Sequence, residues 1–234
     1  RGLLPKCRRI AVIRTFITTS LVLLLGISLA CSMAAQFGHA DVPIAASADD
    51  VQPLTVGDLA PRFLLETVDG QPFDFDPQSL ERPAVLLVFR GGWCPYCNLY
   101  LSDMRKVVPE IRRMGTDVFF LSGDRPELLY ESLEVRTQED IGGLGYTILS
   151  DANAQASIAL GIAFQVSDET VDYVNNKGDG YRESSMEKHG VLPVPAVFAI
   201  DKDGVIAFAY VNADYKVRLP AEELLAAARA IATD

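Results

Sequence analysis

Residues 84–89, Ala-Val-Leu-Leu-Val-Phe, form an unbroken apolar run. A strand with one wet face alternates apolar and polar residues, so a run with no polar position reads as a strand covered on both faces. Arg90-Gly91-Gly92 follows as a turn, and then Trp93-Cys94-Pro95-Tyr96-Cys97. Beyond it Cys97, Leu101, Met104, Val108 and Ile111 recur at steps of three and four, which predicts a helix from about Pro95 to Met114 with one apolar face. Proline suits the first position of that helix. Cys94 therefore falls at the N-cap and Cys97 one turn further in.

This placement has chemical consequences. A thiol at a helix N-terminus faces unpaired backbone N–H groups and the positive end of the dipole, which favour the thiolate. The thiolate is the nucleophile, and Cys97 stands close enough to attack a mixed disulfide or a sulfenic acid formed on Cys94. Arg90 either turns back to support the thiolate or points to solvent. Other readings of the pair are a zinc site, a permanent disulfide and two merely buried cysteines. Zinc requires four ligands, and the remaining cysteines, Cys7 and Cys31, and histidines, His39 and His189, are isolated in the sequence. A disulfide across one helical turn closes a short loop and stabilises little. The setting of strand, Gly-Gly, CxxC and helix favours thiol redox chemistry. Trp93 and Tyr96 flank the thiols, either as an apolar contact patch for substrate or as packing.

The first forty residues differ in kind from the rest. Arg1, Lys6, Arg8, Arg9 and Arg14 precede an uncharged stretch from Thr15 to Ala40 centred on Leu21-Val-Leu-Leu-Leu-Gly-Ile27. This has the form of a secretory signal, with small residues at Gly38-His39-Ala40 for cleavage before Asp41. Ser28-Leu-Ala-Cys31 is a poor lipoprotein box, and an uncleaved segment around residues 15–35 is long enough to tether the chain to a membrane. The expected location is extracytoplasmic. The chain has 21 basic and 31 acidic residues. Five of the basic and none of the acidic ones lie in the leader, so residues 41–234 carry about −15, which disfavours nucleic acid as a partner. Without the leader, Cys94 and Cys97 are the only thiols.

Residues 41–56 mix alanine, aspartate and proline without periodicity and read as a linker; residues 57–234 read as one domain. Phe63-Leu-Leu-Glu-Thr and Gln71-Pro-Phe-Asp-Phe flank Val68-Asp69-Gly70, which predicts a β-hairpin. Strands are expected at Asp117–Leu121 and Tyr146–Leu149, and helices at Pro126 to about Asp140 and Asn153–Leu160. A second hairpin joins Ala196–Ile200 to Val205–Tyr210, and a helix from Pro220 to Ala230 closes the chain. Alternating strands and helices indicate an α/β sheet with helices on both faces.

Trp93-Cys-Pro-Tyr-Cys97 after a buried strand, with Pro195 just before the penultimate strand, resembles the thioredoxin fold. Val56-Gly-Asp-Leu-Ala-Pro-Arg-Phe63, Leu121-Ser-Gly-Asp-Arg-Pro-Glu-Leu128 and Ile148-Leu-Ser-Asp-Ala-Asn-Ala154 resemble the alkyl hydroperoxide reductase/thiol-specific antioxidant branch, the peroxiredoxins. The resemblance runs from Val56 to the C-terminus. It implies a central mixed sheet flanked by helices on both faces, an N-terminal β-hairpin, and a thiol-dependent antioxidant enzyme without a cofactor. In it Cys94 attacks a hydroperoxide or a protein disulfide, Cys97 closes a Cys94/Cys97 disulfide, and a thioredoxin-like protein or small thiol resets the pair. It also implies a cis Val194–Pro195 peptide whose backbone binds substrate.

The chain departs from the family pattern at four places. Leu87 and Gly91 stand where typical peroxiredoxins have proline and a hydroxyl residue. No arginine lies near Val194 in the position of the usual active-site arginine, and Val88 replaces the buried acid of many thioredoxins. Dedicated extracytoplasmic disulfide exchange is the alternative function. A further alternative is copper assembly through Cys94, Cys97 and His189, since thiolates and imidazole suit copper. Gln165–Gly190 reads as a mobile loop or a helical insertion before the proline loop.

Overall fold

The computed structural model describes residues 43–176 and 181–232. The leader, with its cleavage and tether readings, lies outside the described residues. Seven strands form one sheet in the order β2-β1-β5-β4-β3-β8-β9. The strands are β1 (Phe63–Glu66), β2 (Pro72–Phe75), β3 (Ala84–Phe89), β4 (Asp117–Ser122), β5 (Thr147–Ser150), β8 (Ala196–Ile200) and β9 (Ile206–Val211). β3 pairs parallel with β4 and antiparallel with β8, while β4 pairs parallel with β5. The sheet is therefore mixed, and β1 and β2 form the expected antiparallel hairpin.

Every residue of β3 is buried, as its uninterrupted apolar run requires. Its side chains alternate between two cores. Val85, Leu87 and Phe89 pack with Cys97, Leu101, Met104, Val108, Leu224 and Ile231 on one face. Ala84, Leu86 and Val88 pack with Phe63, Phe75, Leu149, Ala156 and Phe198 on the other. Helices α1 (Pro95–Asp103), α2 (Val108–Arg113) and α8 (Ala221–Ala232) cover the first face, and α5 (Gln155–Ala159) contributes to the second.

Two predicted helices are each broken. The helix expected from Pro95 to Met114 divides into α1, a 3-10 turn at Met104–Lys106, and α2. Pro109 sits in the first turn of α2; it has no N–H to give and its ring would collide with the carbonyl four residues back. The apolar period continues across the break, which explains why periodicity alone joins the two. The stretch after Pro126 divides into α3 (Leu128–Glu131) and α4 (Val135–Ile141), separated by a turn at residues 132–134.

One further expectation is corrected. The segment read as a linker is packed against the domain from Ala45 onward. Ala45 pairs with Phe164, the Leu54 N–H donates to Leu160 O at 3.1 Å, and Ala48, Val51 and Leu54 lie on the second core. Three small or branched apolar side chains spaced by polar ones are enough to dock an irregular segment, and no periodicity is needed. Of the two readings of Gln165–Gly190, the described residues show the helical one: α6 (Asp168–Asn175) and α7 (Ser185–His189) lie between β6 (Ala163–Gln165) and β7 (Val191–Pro193), which pair antiparallel. Among the described residues no helix is long and apolar enough to cross a membrane.

Candidate active site

Strand β3 ends at Phe89, and the chain turns through Arg90–Trp93 into α1. Cys94 is the N-cap of α1, with extended backbone at φ −87° and ψ 116°, and Pro95 is its first residue. Both cysteines are free thiols and both are buried. The Cys97 thiol hydrogen-bonds the Cys94 sulfur, and this brings the Cys94 thiol down to about 6 against the opposing effect of burial. The Cys97 backbone amide and the charges of Arg90 and Arg218 push in the same direction. Burial pushes the Cys97 thiol well above its ordinary value, and the bond and charge of Cys94 push it further. The pair is thus split into a thiolate and a protonated thiol that donates to it, which is the division a nucleophile and its resolving partner require.

Two buried polar side chains hold the turn that presents Cys94. Asn98, one turn into α1, donates through Nδ2 to Gly92 O at 2.6 Å and to Cys94 O at 3.1 Å. Its Oδ1 accepts from the Glu134 amide at 2.9 Å. Asp124, just after β4, accepts from the Gly92 amide at 2.7 Å and from Ser132 Oγ at 2.9 Å, and the Trp93 indole lies beside the same carboxylate. Burial pushes Asp124 up to about 6, and these donors hold it below what burial alone would give. Gly92 is pressed against the 132–134 turn; a Cβ there would stand 2.0 Å from Ser132 Oγ. The break between α3 and α4 thus supplies a wall of the site.

Aromatic and cationic side chains cover the thiols. The Arg90 guanidinium lies over the Trp93 ring at 5.3 Å and the Tyr215 ring at 4.5 Å. Trp93 also meets Tyr181 at 5.0 Å, and Tyr96 meets Tyr215 edge-on at 5.6 Å. Trp93 is half-buried and Tyr96 is exposed. Of the two readings of Arg90, the structure shows the inward one.

The peptide before Pro195 is trans, since the described chain contains no cis peptide bond. The Val194 N–H is already used, donating to Ile162 O at 2.8 Å. That bond continues the β6/β7 pairing and makes this amide unavailable to a substrate chain; the proline spacing does not reveal it. Pro195 lines a small pocket with Val88, Tyr100, Ala196, Val197, Tyr210, Arg218 and Leu219. His189 ends α7, is exposed, and forms no group with Cys94 and Cys97 able to hold a metal among the described residues.

Sequence reasoning missed four contributors, namely Asn98, Asp124, Tyr215 and Arg218. Asn98 carried a local signal, a polar residue on the apolar face of a helix. Asp124 stood in a stretch already noted for its resemblance. Arg218 carried none: its Nη2 lies 3.7 Å from Cys97 Sγ across 121 residues of sequence.

A mixed sheet with helices on both faces, carrying a buried dithiol split into thiolate and thiol at a helix N-terminus, defines a thiol oxidoreductase of thioredoxin fold. The AhpC/TSA family matches residues 56–209, and the chain belongs to that family. It is 26% identical to peroxiredoxin Bcp of Escherichia coli over 160 residues, covering 68% of this chain and 87% of that protein. It is 29% identical to the thiol-disulfide oxidoreductase ResA of Halalkalibacterium halodurans over 106 residues, covering 45% of this chain and 56% of that one. Peroxidoxin BcpB of Mycobacterium tuberculosis has a similar structure, with a TM-score of 0.53 and 21% identity over 76% of this chain and 98% of that chain. The protein is a thiol-dependent oxidoreductase of peroxiredoxin type.

Proposed function

We propose that Cys94 reduces hydroperoxides and that Cys97 resolves the product within the same chain. The observation that carries this is the asymmetry of the pair, with Cys94 brought down to about 6 and Cys97 held protonated. The Cys94 thiolate attacks the distal oxygen of ROOH. The O–O bond breaks, HO joins sulfur, and the alkoxide leaves and takes a proton to become ROH. Cys97 then attacks the sulfenic sulfur, closing the Cys94/Cys97 disulfide and releasing water. An external dithiol returns two electrons and two protons. Exchange with a protein disulfide uses the same two sulfurs and differs only in the electrophile; the relatedness to ResA favours keeping it as the second reading.

No threonine hydroxyl stands beside Cys94 at Gly91, and Leu87 is core. Peroxide polarisation must therefore come from backbone amides and the two guanidinium groups. Trp93 and Tyr96 form the aromatic rim that a substrate meets, and Pro195 lines the small pocket that holds Arg218, while Val194 is buried in the second core. The basic and then apolar first forty residues support an extracytoplasmic location, to be checked by fractionation of the full chain.

The test is stopped-flow oxidation of reduced protein by hydrogen peroxide and, separately, by a protein disulfide, with trapped products identified by mass. Cys94→Ser should abolish both reactions. Cys97→Ser should stop at a sulfenate or mixed disulfide. Oxidation of Cys94 by peroxide no faster than that of a free thiol would overturn the peroxidase reading and leave disulfide exchange.

A further inference from the structure

The reaction assigned above leaves one step without an agent. Cys97 is fully buried and held as the thiol, yet it must give up its proton to attack Cys94. Arg218, which reaches the Cys97 sulfur, also lines a small pocket with Tyr100, Pro195 and Tyr210, and no carboxylate or imidazole is among the lining residues. Arg218 is the one charged side chain in that lining.

We propose that Arg218 is a catalytic residue of the resolving step, stabilising the Cys97 thiolate as it forms and so driving closure of the Cys94/Cys97 disulfide. Its Nη2 is 3.7 Å from Cys97 Sγ. Nη1 donates to Val217 O at 3.2 Å, which fixes the plane of the guanidinium. Its Nε and the Tyr100 hydroxyl are buried without a hydrogen-bond partner, and the guanidinium carbon lies 6.0 Å from the Tyr100 ring centroid. Buried polar atoms left unpaired are costly and rare, and a redox or catalytic role is one reason for keeping them.

Both arginines favour the Cys94 thiolate, and Arg218 acts on Cys97 as well. Arg90 is held between the Trp93 and Tyr215 rings, and its charge acts on Cys94. Only the charge of Arg218 favours ionised Cys97. The groups that bear on the Cys97 sulfur are Cys94, Arg218 and the Arg90 backbone amide. In the step itself the Cys97 S–H bond breaks, the S–S bond forms, and the S–O bond of the Cys94 sulfenic acid breaks. Cys97 sulfur is oxidised, the sulfenic sulfur is reduced, and the proton leaves with the hydroxyl as water. A contact between a charged donor and an anion in a dry site is worth enough to change the rate about tenfold or more.

This inference rests on the reading of Cys97 as the resolving residue, and the experiment separates the two. Reduced full-length protein is mixed with excess hydrogen peroxide. The fluorescence of its single tryptophan, Trp93, follows the reaction, and quenched samples are weighed to distinguish sulfenate from disulfide across pH 5–9. Arg218→Met should slow disulfide closure roughly tenfold or more and move its pH midpoint upward. Arg218→Lys should recover most of the rate. Peroxide attack measured in the Cys97→Ser background should change less than closure does. Should Arg218→Met not fold, Arg218→Gln takes its place. Closure with unchanged rate and pH midpoint in the neutral variant overturns the role of Arg218, as does a lysine variant as slow as the neutral one. Wild-type protein that forms no Cys94/Cys97 disulfide overturns the reading of the pair and the inference with it.

Discussion

With its thiol at about 6, Cys94 is mostly thiolate at pH 7. Its reactivity should rise with pH through about 6 and level off above 7, because protonation removes the nucleophile. An iodoacetamide alkylation profile of the Cys97→Ala variant should show that midpoint moved toward the ordinary thiol value, since the largest cause of the shift is the bond from Cys97. A different residue governs stability. Asp151 is buried and pushed up to about 6 although it accepts from the Ala156 and Ser157 amides, both at 2.9 Å, and from Ser157 Oγ at 2.6 Å. A carboxyl raised above its unfolded value near 4 stabilises the fold fully below that value, and the contribution is lost as pH rises through about 6. Urea unfolding at pH 4.5 and 7.5 should therefore show a smaller pH-linked loss in Asp151→Asn than in wild type, by on the order of 2 kcal/mol.

At the scale of elements, the site is a strand–turn–helix unit locked from outside by the turn between α3 and α4. Asn98 joins three backbone groups across that junction. Asn98→Ala removes the bonds to Gly92 O and to the Glu134 amide, while Cys94 O keeps the backbone amides of residues 97 and 98, and this costs about 1–3 kcal/mol. The expected outcome is a lowered urea midpoint together with a Cys94 titration, followed by thiolate absorbance, displaced upward from about 6. A midpoint that falls while the titration stays in place would show Asn98 to be structural alone. The unit itself was legible: Ala84–Phe89, the Gly-Gly turn and Pro95 each state their local conformation, and Cys94 lies at the N-cap as read. The helix lengths were not legible. Pro109 ends a helix whose apolar period runs on, and at the break before α4 Ser132 and Glu134 have polar partners, Asp124 eight residues back and Asn98 on α1 36 residues back.

At the scale of the whole molecule, the segment before Val56 belongs to the domain. Ala48, Val51 and Leu54 lie on the second core, and Ala45 exchanges backbone hydrogen bonds with Ala163 and Gln165 at 3.0 and 2.8 Å. A chain beginning at Val56 should unfold at lower urea than one beginning at Asp41, by on the order of 2–4 kcal/mol from the apolar area uncovered. Equal midpoints would show the segment to be a passive tether.

The order of apolar and polar residues along the chain determined the buried strand, the two hairpins and the dithiol at a helix start, because these depend on neighbours within a turn or a strand. Tertiary structure decided the rest. It set a trans Val194–Pro195 whose amide is already bonded, left His189 away from the sulfurs, and placed Arg218 beside Cys97. Those outcomes depend on distances between residues far apart in sequence, and only the closing of the sheet brings such residues together.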